Sequence, residues 1–435
     1  MPKFIRYLFF LFLLVTVPQV LAQTTESINV ANNQNSLPIN NQSGQGSITL
    51  NQVIDRFLQK NLTIEAAKYR VDIARAEQIA ASLRPNPTVE VSLQNIKTNG
   101  ETPFNQLYEI YATYSQTIEM GNKRRLRREV ADLGVSVAEA QLADILRKNL
   151  FELKQAYYQV LLANATLGTA FENRDNFNQV LKVSETRFEE GAIAEGELLK
   201  VRLERIKFDS NIAQAQLAQR QAGIKLLELL GDSDFSQTQL ITGTLSFIPR
   251  NLSISTLKEL ALANRPDLLL AQQSNKLAGR RIDLERARNS TDITPFAGFK
   301  RVGVNNTILF GVTIPLRIND KNQAAIARSV ADEKIAQTEL AIVRNRVLAE
   351  VESAYLAYET AKSQVNTFQN NLVPKSEESL SITLIAYKEG ATDLLPLLEA
   401  ERTKAEIIYQ YVRSLYEYQV SILRLEAAIA GELNP

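Results

Sequence analysis

The densest charge in the chain is Lys123-Arg124-Arg125-Leu126-Arg127-Arg128, a short run with a single apolar interruption. A run like this can hold phosphate, on a nucleic acid or on a lipid headgroup, or it can simply be solvated. Among the carboxylates, Glu350 and Glu352 lie two apart. On a helix that spacing puts them on different sides, so they read as a solvated face rather than an acid/base pair. Gly191 and Gly390 each follow an acidic, helix-like run and precede a small residue. Their freedom at positive φ suits a tight turn.

What is missing narrows the chemistry further. The chain has no Cys, His or Trp. Thiolate nucleophiles, Ser-His-Asp triads, zinc fingers and blue-copper sites are therefore excluded, as are disulfides. Nothing resembles a phosphate-cradling loop with its Lys and Ser or Thr. Lys plus Arg total 49 against 48 for Asp plus Glu, which leaves no bulk field for a nucleic-acid partner. The expectation is a chain with no catalytic residues, no metal site and no cofactor, and hence not an enzyme.

The elements that carry these residues begin with an export signal. Lys3 and Arg6 precede an apolar run from Tyr7 to Val17, and Val20-Leu21-Ala22 has a small-residue cleavage pattern. Met1 to Ala22 is read as a cleaved signal peptide, because its apolar run falls well short of the roughly 20 residues of a membrane-spanning helix. No later segment is uniformly apolar over such a length, so insertion into a membrane would have to use β-strands. Gln23 to Gly46, rich in Asn, Gln, Ser and Thr, predicts a disordered segment.

From Ser47 onward one pattern occurs twice, displaced by about 200 residues. The predicted units are 47–231 and 255–433, joined by a linker at 232–254. Each opens with a capping box, Thr49-Leu50-Asn51-Gln52 and Thr256-Leu257-Lys258-Glu259. The helices that follow carry matching runs, Lys60-Asn61-Leu62-Thr63-Ile64 and Asn264-Arg265-Pro266-Asp267-Leu268.

Two strand-like segments come next in each copy. Val89, Val91 and Leu93 alternate with polar residues, as do Tyr108, Ile110, Ala112 and Tyr114, and in the second copy Ile308, Phe310 and Val312. A weaker strand, Thr294 to Val304, precedes the last set. All are read as tilted transmembrane strands of about ten residues, with the apolar residues facing lipid.

Each copy then becomes a very long helix, Arg124 to Glu190 and Lys321 to Glu389. At 1.5 Å per residue each reaches on the order of 100 Å. Apolar residues step by threes and fours, as in Leu146, Leu150, Leu153, Tyr157, Val160 and in Val347, Val351, Ala354, Tyr358, Ala361, Val365, which makes a coiled-coil seam. Pro374 predicts a kink in the second copy alone. After the glycine turns, return helices run antiparallel and stop at Gly231 and Gly431.

Four strands cannot close a barrel, since known transmembrane barrels need about eight or more. Other subunits must complete it. At this level of detail the chain, from about Ile48 to Leu433, resembles the TolC family of outer-membrane factors. Gln116-Thr117-Ile118-Glu119-Met120-Gly121-Asn122-Lys123-Arg124 is similar to the strand-to-helix stretch of the heavy-metal efflux branch, close to Q-x-I-E-x-G-G-K-R, with Asn122 in place of the second glycine. Ile314-Pro315-Leu316 with Asp320-Lys321-Asn322-Gln323 resembles the second-half equivalent.

The resemblance implies a mainly α fold: a homotrimer whose strands form a 12-stranded outer-membrane barrel, continuous with a periplasmic tunnel of antiparallel helices. It implies as partners outer-membrane lipid, a periplasmic adaptor and an inner-membrane pump of the RND or ABC type. It points to Gly191, Ala192, Ile193, Gly390, Ala391 and Thr392 as adaptor-contact tips. It also points to Tyr387 and Glu399 as a gate, with Pro396 where the family often has a second acid. The alternative is a structural periplasmic spacer or surface adhesin, which would have no use for lipid-length strands.

Overall fold

Thr49 opens the first helix as its spacing predicts. The Gln52 side chain accepts from Thr49 N at 2.9 Å while the threonine hydroxyl caps Gln52 N, completing the capping box at the head of α1 (Leu50–Lys60). Asn61 ends α1 and caps α2 (Leu62–Ser82), its Oδ1 accepting from Ile64 N at 3.0 Å. The structure, a computed structural model, describes residues 48–96, 108–235, 241 and 243–433. The expected signal peptide at Met1–Ala22 and the polar segment Gln23–Gly46 lie outside these.

The second copy departs from its expected start. Its helix α5 (Ile254–Asn264) begins after Ser253, so Thr256 lies within the first turn and the box with Glu259 is not the cap. The reason is upstream: the Tyr358 hydroxyl accepts from Arg250 N and donates to Arg250 O, both at 2.8 Å. The linker is thereby pinned, and the chain enters the helix as soon as the pinned segment ends. Arg265 then breaks the chain before α6 (Pro266–Arg288), where proline at the helix start costs no hydrogen bond.

The strands β1 (Thr88–Gln94), β2 (Glu109–Ser115), β3 (Thr294–Val302) and β4 (Asn305–Thr313) form one antiparallel sheet in the order β1-β2-β3-β4. The β2–β3 pairing joins the two halves of the chain. The regular strands are shorter than expected, 7 residues each in the first pair and 9 in the second. Pro87 and Pro315, which lack the N–H a ladder needs, sit just outside β1 and β4. Pairing continues beyond the strands at one point, the bridge between Ile118 and Ile293. The outer edges of β1 and β4 have no partner among the described residues.

Below the sheet, α3 (Lys123–Glu189) runs 67 residues without interruption and returns as α4 (Glu195–Leu229). Its counterpart is divided. α7 (Gln323–Thr367) passes through a π-helical turn, Phe368–Leu372, into α8 (Val373–Lys388), and α9 (Leu394–Ile429) returns. The expected disturbance at Pro374 is this π turn, which widens the helix where proline cannot donate to the preceding turn. The predicted seams are the core: Leu153, Tyr157 and Val160 are buried, as are Val347, Val351, Ala354, Tyr358, Ala361 and Val365.

Matching hydrogen bonds tie the start of each half to its end. Asn61 Nδ2 donates to Leu229 O at 2.9 Å, and Arg265 donates to Ala428 O at 3.2 Å. The residue at each helix break thus satisfies one of the last carbonyls of the return helix. Gly231 closes α4 at φ +75° as expected. In the second half the left-handed residue is Ala430, at φ +51°, and Gly431 follows it, so that helix stops one residue before the predicted glycine.

Both long helices start from a left-handed asparagine, Asn122 at φ +59° and Asn322 at φ +64°. Asparagine takes this conformation more readily than other side chains. The departure from the family's second glycine at 122 is therefore conformationally cheap. Gly121 is different: at φ +68° a Cβ would come within 2.4 Å of Ser290 Oγ. Gly121→Ala should destabilise the protein by roughly 1 to 3 kcal/mol while Asn122→Gly stays within about 0.5. Thermal melting of the purified variants checks this, and equal melting of both contradicts the assignment.

Candidate functional site

Alternation gives the sheet two unlike faces, and the register fixes their membership. Val89 pairs with Tyr114, Val91 with Ala112, and Leu93 with Ile110. Across the next seam Ala112 faces Phe299 and Tyr114 faces Ala297, and beyond it Phe299 faces Ile308, Ala297 faces Phe310 and Pro295 faces Val312. Directly opposed residues share a face. All the predicted outward residues within the strands therefore lie together, and most are open in the protomer: Phe310 is 79% exposed and Val89 and Val91 are 70% exposed, while Ile110 and Ala112 are half-buried. Tyr108 precedes β2 and is partly exposed.

Three members of this band escaped the pattern reading. Pro295, Ala297 and Phe299 belong to β3, where Phe296 on the other face blurs the period of two. Phe296 fits because position 311 is glycine, where a Cβ would come within 2.2 Å of its ring. The second face is largely polar. Lys300 Nζ lies 2.9 Å from Glu109 and 4.7 Å from the centre of the Tyr111 ring, and the Tyr111 hydroxyl donates to Glu109 at 2.7 Å.

At the far end of the helices the two glycine turns have the same build. Gly191, at φ +72°, donates to Phe188 O, and Ala192 donates to Arg187 O at 2.8 Å. Gly390, at φ +70°, donates to Tyr387 O, and Ala391 donates to Ala386 O at 2.8 Å. These bonds consume carbonyls that the helix ends leave free. Gly191, Ala192, Gly390 and Ala391 are exposed, while Ile193 and Thr392 are half-buried.

Just inside the turns the halves lock together. Tyr387 is fully buried among Phe177, Val180, Val201, Leu394 and Leu397. Its hydroxyl lies 3.2 Å from Ser184 Oγ, and the Arg187 guanidinium stacks over its ring at 4.4 Å while donating to Tyr387 O at 2.8 Å. Within the protomer Tyr387 fills the space between the two hairpins. Glu399 is exposed on α9.

Sequence reasoning missed a stronger cross-link. The carboxylate of Glu204 on α4 accepts from Arg402 on α9 at 2.9 and 2.7 Å and lies 2.8 Å from Lys207. Arg402 and Lys207, working against burial, hold the Glu204 carboxyl down at about 2. A little over two turns into α4 and α9, this pair bridges the two return helices. Nothing in the local pattern of either helix announces it, because the partners are far apart in sequence. Nearby Glu401 is buried, and that burial raises its carboxyl above the usual range.

Three of the five cations in the basic run, and both glutamates singled out from sequence, are paired. Lys123 is buried against Asp292 at 2.8 Å, Arg125 reaches Glu129 at 2.7 Å, and Arg127 grips Glu119 with both nitrogens. Glu350 and Glu352 are not simply solvated. Glu350 meets the buried Arg265 at 2.7 Å and Glu352 meets Lys258 at 2.5 Å, so the first ties α7 to the break between α5 and α6 and the second ties it to α5 itself.

The model of the outer membrane efflux protein family matches residues 53–232 and 257–431, most of both halves. The chain belongs to this family. The cobalt-zinc-cadmium resistance protein CzcC of Cupriavidus metallidurans is 24% identical over 387 residues, covering 86% of this chain and 88% of the relative. Among solved structures, the outer-membrane channel OprN superposes with a TM-score of 0.76 at 20% identity, over 88% of this chain and 90% of that one. The channel protein CusC gives 0.74 at 20% identity, over 88% and 92%. The fold is therefore that of the efflux channels, mainly helical with four antiparallel strands, and the chain serves as an outer-membrane exit duct.

The Glu204 carboxyl gives this family member a measurable signature. A depressed carboxyl contributes stability above its unfolded pKa, here near 4.5, and loses that contribution as pH falls towards about 2. Glu204→Gln should melt below the parent at neutral pH, with the gap shrinking as pH drops through that window. A gap that does not change with pH would contradict the pairing.

Proposed function

We propose that three copies of this chain assemble as a homotrimer in the outer membrane after cleavage of the signal peptide, each adding four strands to a 12-stranded barrel and its helices to a periplasmic tunnel. The observation that carries this reading is the exposed apolar face of a sheet whose two edge strands lack partners among the described residues. In lipid an unpaired strand edge costs several kcal/mol per orphaned group, so β4 of one copy must meet β1 of the next. Exposed apolar residues along α4, Leu199, Leu203, Ile206 and Leu217, give the helices a surface for the same neighbours. The matching elements of the two halves fit an internal duplication of one unit.

In this reading the duct carries no catalytic centre and works with an adaptor that meets the exposed tips at Gly191, Ala192 and Ile193 and at Gly390, Ala391 and Thr392. The energy comes from an inner-membrane pump, of the RND or ABC type. Glu189, Glu190, Glu389 and Asp393 at the tips are exposed and favour a cationic partner surface. Glu399, repeated by symmetry, forms a ring that concentrates cations, while Tyr387 and Arg187 hold the lower hairpins in register. CzcC is named for resistance to cobalt, zinc and cadmium. Together with the junction stretch at Gln116–Arg124, it makes divalent metal cations the favoured cargo.

Two experiments test this function. Phe310→Arg should reduce oligomer yield, at an order of 2 to 4 kcal/mol if the residue lies near the bilayer midplane, and normal yield would count against the lipid-facing assignment. Lengthening either tip by a few residues beside Gly191 or Gly390 should leave the oligomer intact and abolish cation export in a metal-sensitivity assay. Loss of the oligomer itself would mean that the glycines serve structure alone.

A further inference from the structure

The first turn of α3 is electrostatically wrong for its charges. Lys123, Arg124 and Arg125 occupy it with no acidic residue among them, although a helix N-terminus carries partial positive charge and disfavours cations. Three members of the run are relieved by Asp292, Glu129 and Glu119. Arg124 and Arg128 are not. Four apart and so on one side of the helix, they have no acidic partner among the described residues. Arg84 and Lys321, exposed in two other turns between sheet and helices, are likewise unpaired.

A second, independent feature lies beside them. The outward alternation continues past the ends of the regular strands, through Ile118 and Met120 after β2 and through Ile314, Leu316 and Ile318 after β4. All five are exposed, Leu316 to 78% and Ile318 to 72%. Lys321 follows Ile318 within three positions, and Arg84 directly follows the exposed Leu83. Moving from sheet to helix, the surface thus changes from an apolar band to a set of unneutralised cations, the same order as acyl chains and then phosphates at a membrane surface.

We infer that these turns form a collar for the phosphate groups of anionic phospholipids in the periplasmic leaflet, with Arg124 and Arg128 as its centre. The inference rests on the proposed reading of the apolar sheet face as lipid-facing. Guanidinium groups suit the task because their forked donors match phosphate oxygens, and their long stems can lie along the apolar band while the charge reaches the headgroups. The bound phosphates would supply the counter-charge that the helix N-terminus lacks, fixing the depth at which the sheet sits.

The test uses the full chain, assembled and purified, presented to vesicles of phosphatidylcholine alone or with added phosphatidylglycerol, with insertion read by co-flotation. The parent should prefer the anionic vesicles, and the preference should fall as salt is raised. The Arg124→Gln, Arg128→Gln double variant should lose that preference by about tenfold or more while entering phosphatidylcholine as the parent does. A double variant that keeps the full preference overturns the collar, and so does a preference indifferent to salt, which can be read on the parent even if the variant fails to assemble. A parent that enters both vesicles equally overturns the collar alone. A parent that enters neither overturns the lipid-facing reading as well.

Discussion

The constraint on which the structure depends is the unpaired edge of its sheet. Four strands with one apolar face are stable in lipid only if every backbone group finds a partner, and among the described residues β1 and β4 each leave a row of such groups open. Neither edge is blunted by a bulge or covered by a helix among the described residues, the usual means by which soluble sheets protect themselves. The protomer is accordingly an unfinished object. Its exposed residues, from Phe310 and Val91 on the sheet to Leu203 and Ile206 on α4, make sense as surfaces that other copies or lipid will cover.

Joining such a sheet to long helices requires a change of backbone direction twice per protomer, and the chain makes it with few tools. A left-handed asparagine, Asn122 or Asn322, starts each long helix. Asp292 accepts from Met120 N at 2.9 Å and holds Lys123, so the turn of the first half is fixed by a residue of the second. The β2–β3 ladder, the Ile118–Ile293 bridge and this carboxylate therefore act together. Further down, Asn61 and Arg265 fasten each helix break to the end of its own return helix.

Much of this was legible in the residues. Period-two alternation identified the strands and the residues that share the sheet's apolar face, and three-four steps identified the buried seams, because both patterns are local consequences of how side chains leave a strand or a helix. What was not legible is what depends on distant partners. β3 was underestimated because Phe296 fills a hole made by Gly311 on the neighbouring strand. The contacts of Tyr387 with Ser184 and Arg187 of the other half left no mark in the local pattern around the second turn. Glu204 and Arg402 gave no sign of each other. The start of α5 was misplaced because Tyr358 pins the linker at Arg250.

The two halves also differ in stiffness at their lower ends, since α3 is continuous while the π turn and Pro374 interrupt its counterpart. All of this presupposes closure of the barrel. The most direct measurement is the cryo-electron-microscopy density of the full chain in lipid nanodiscs. The account predicts a threefold particle, with a closed β-barrel inside the disc and a helical tube extending from it on the order of 100 Å. A single copy with an open four-stranded sheet, or particles without strands inside the disc, would contradict it.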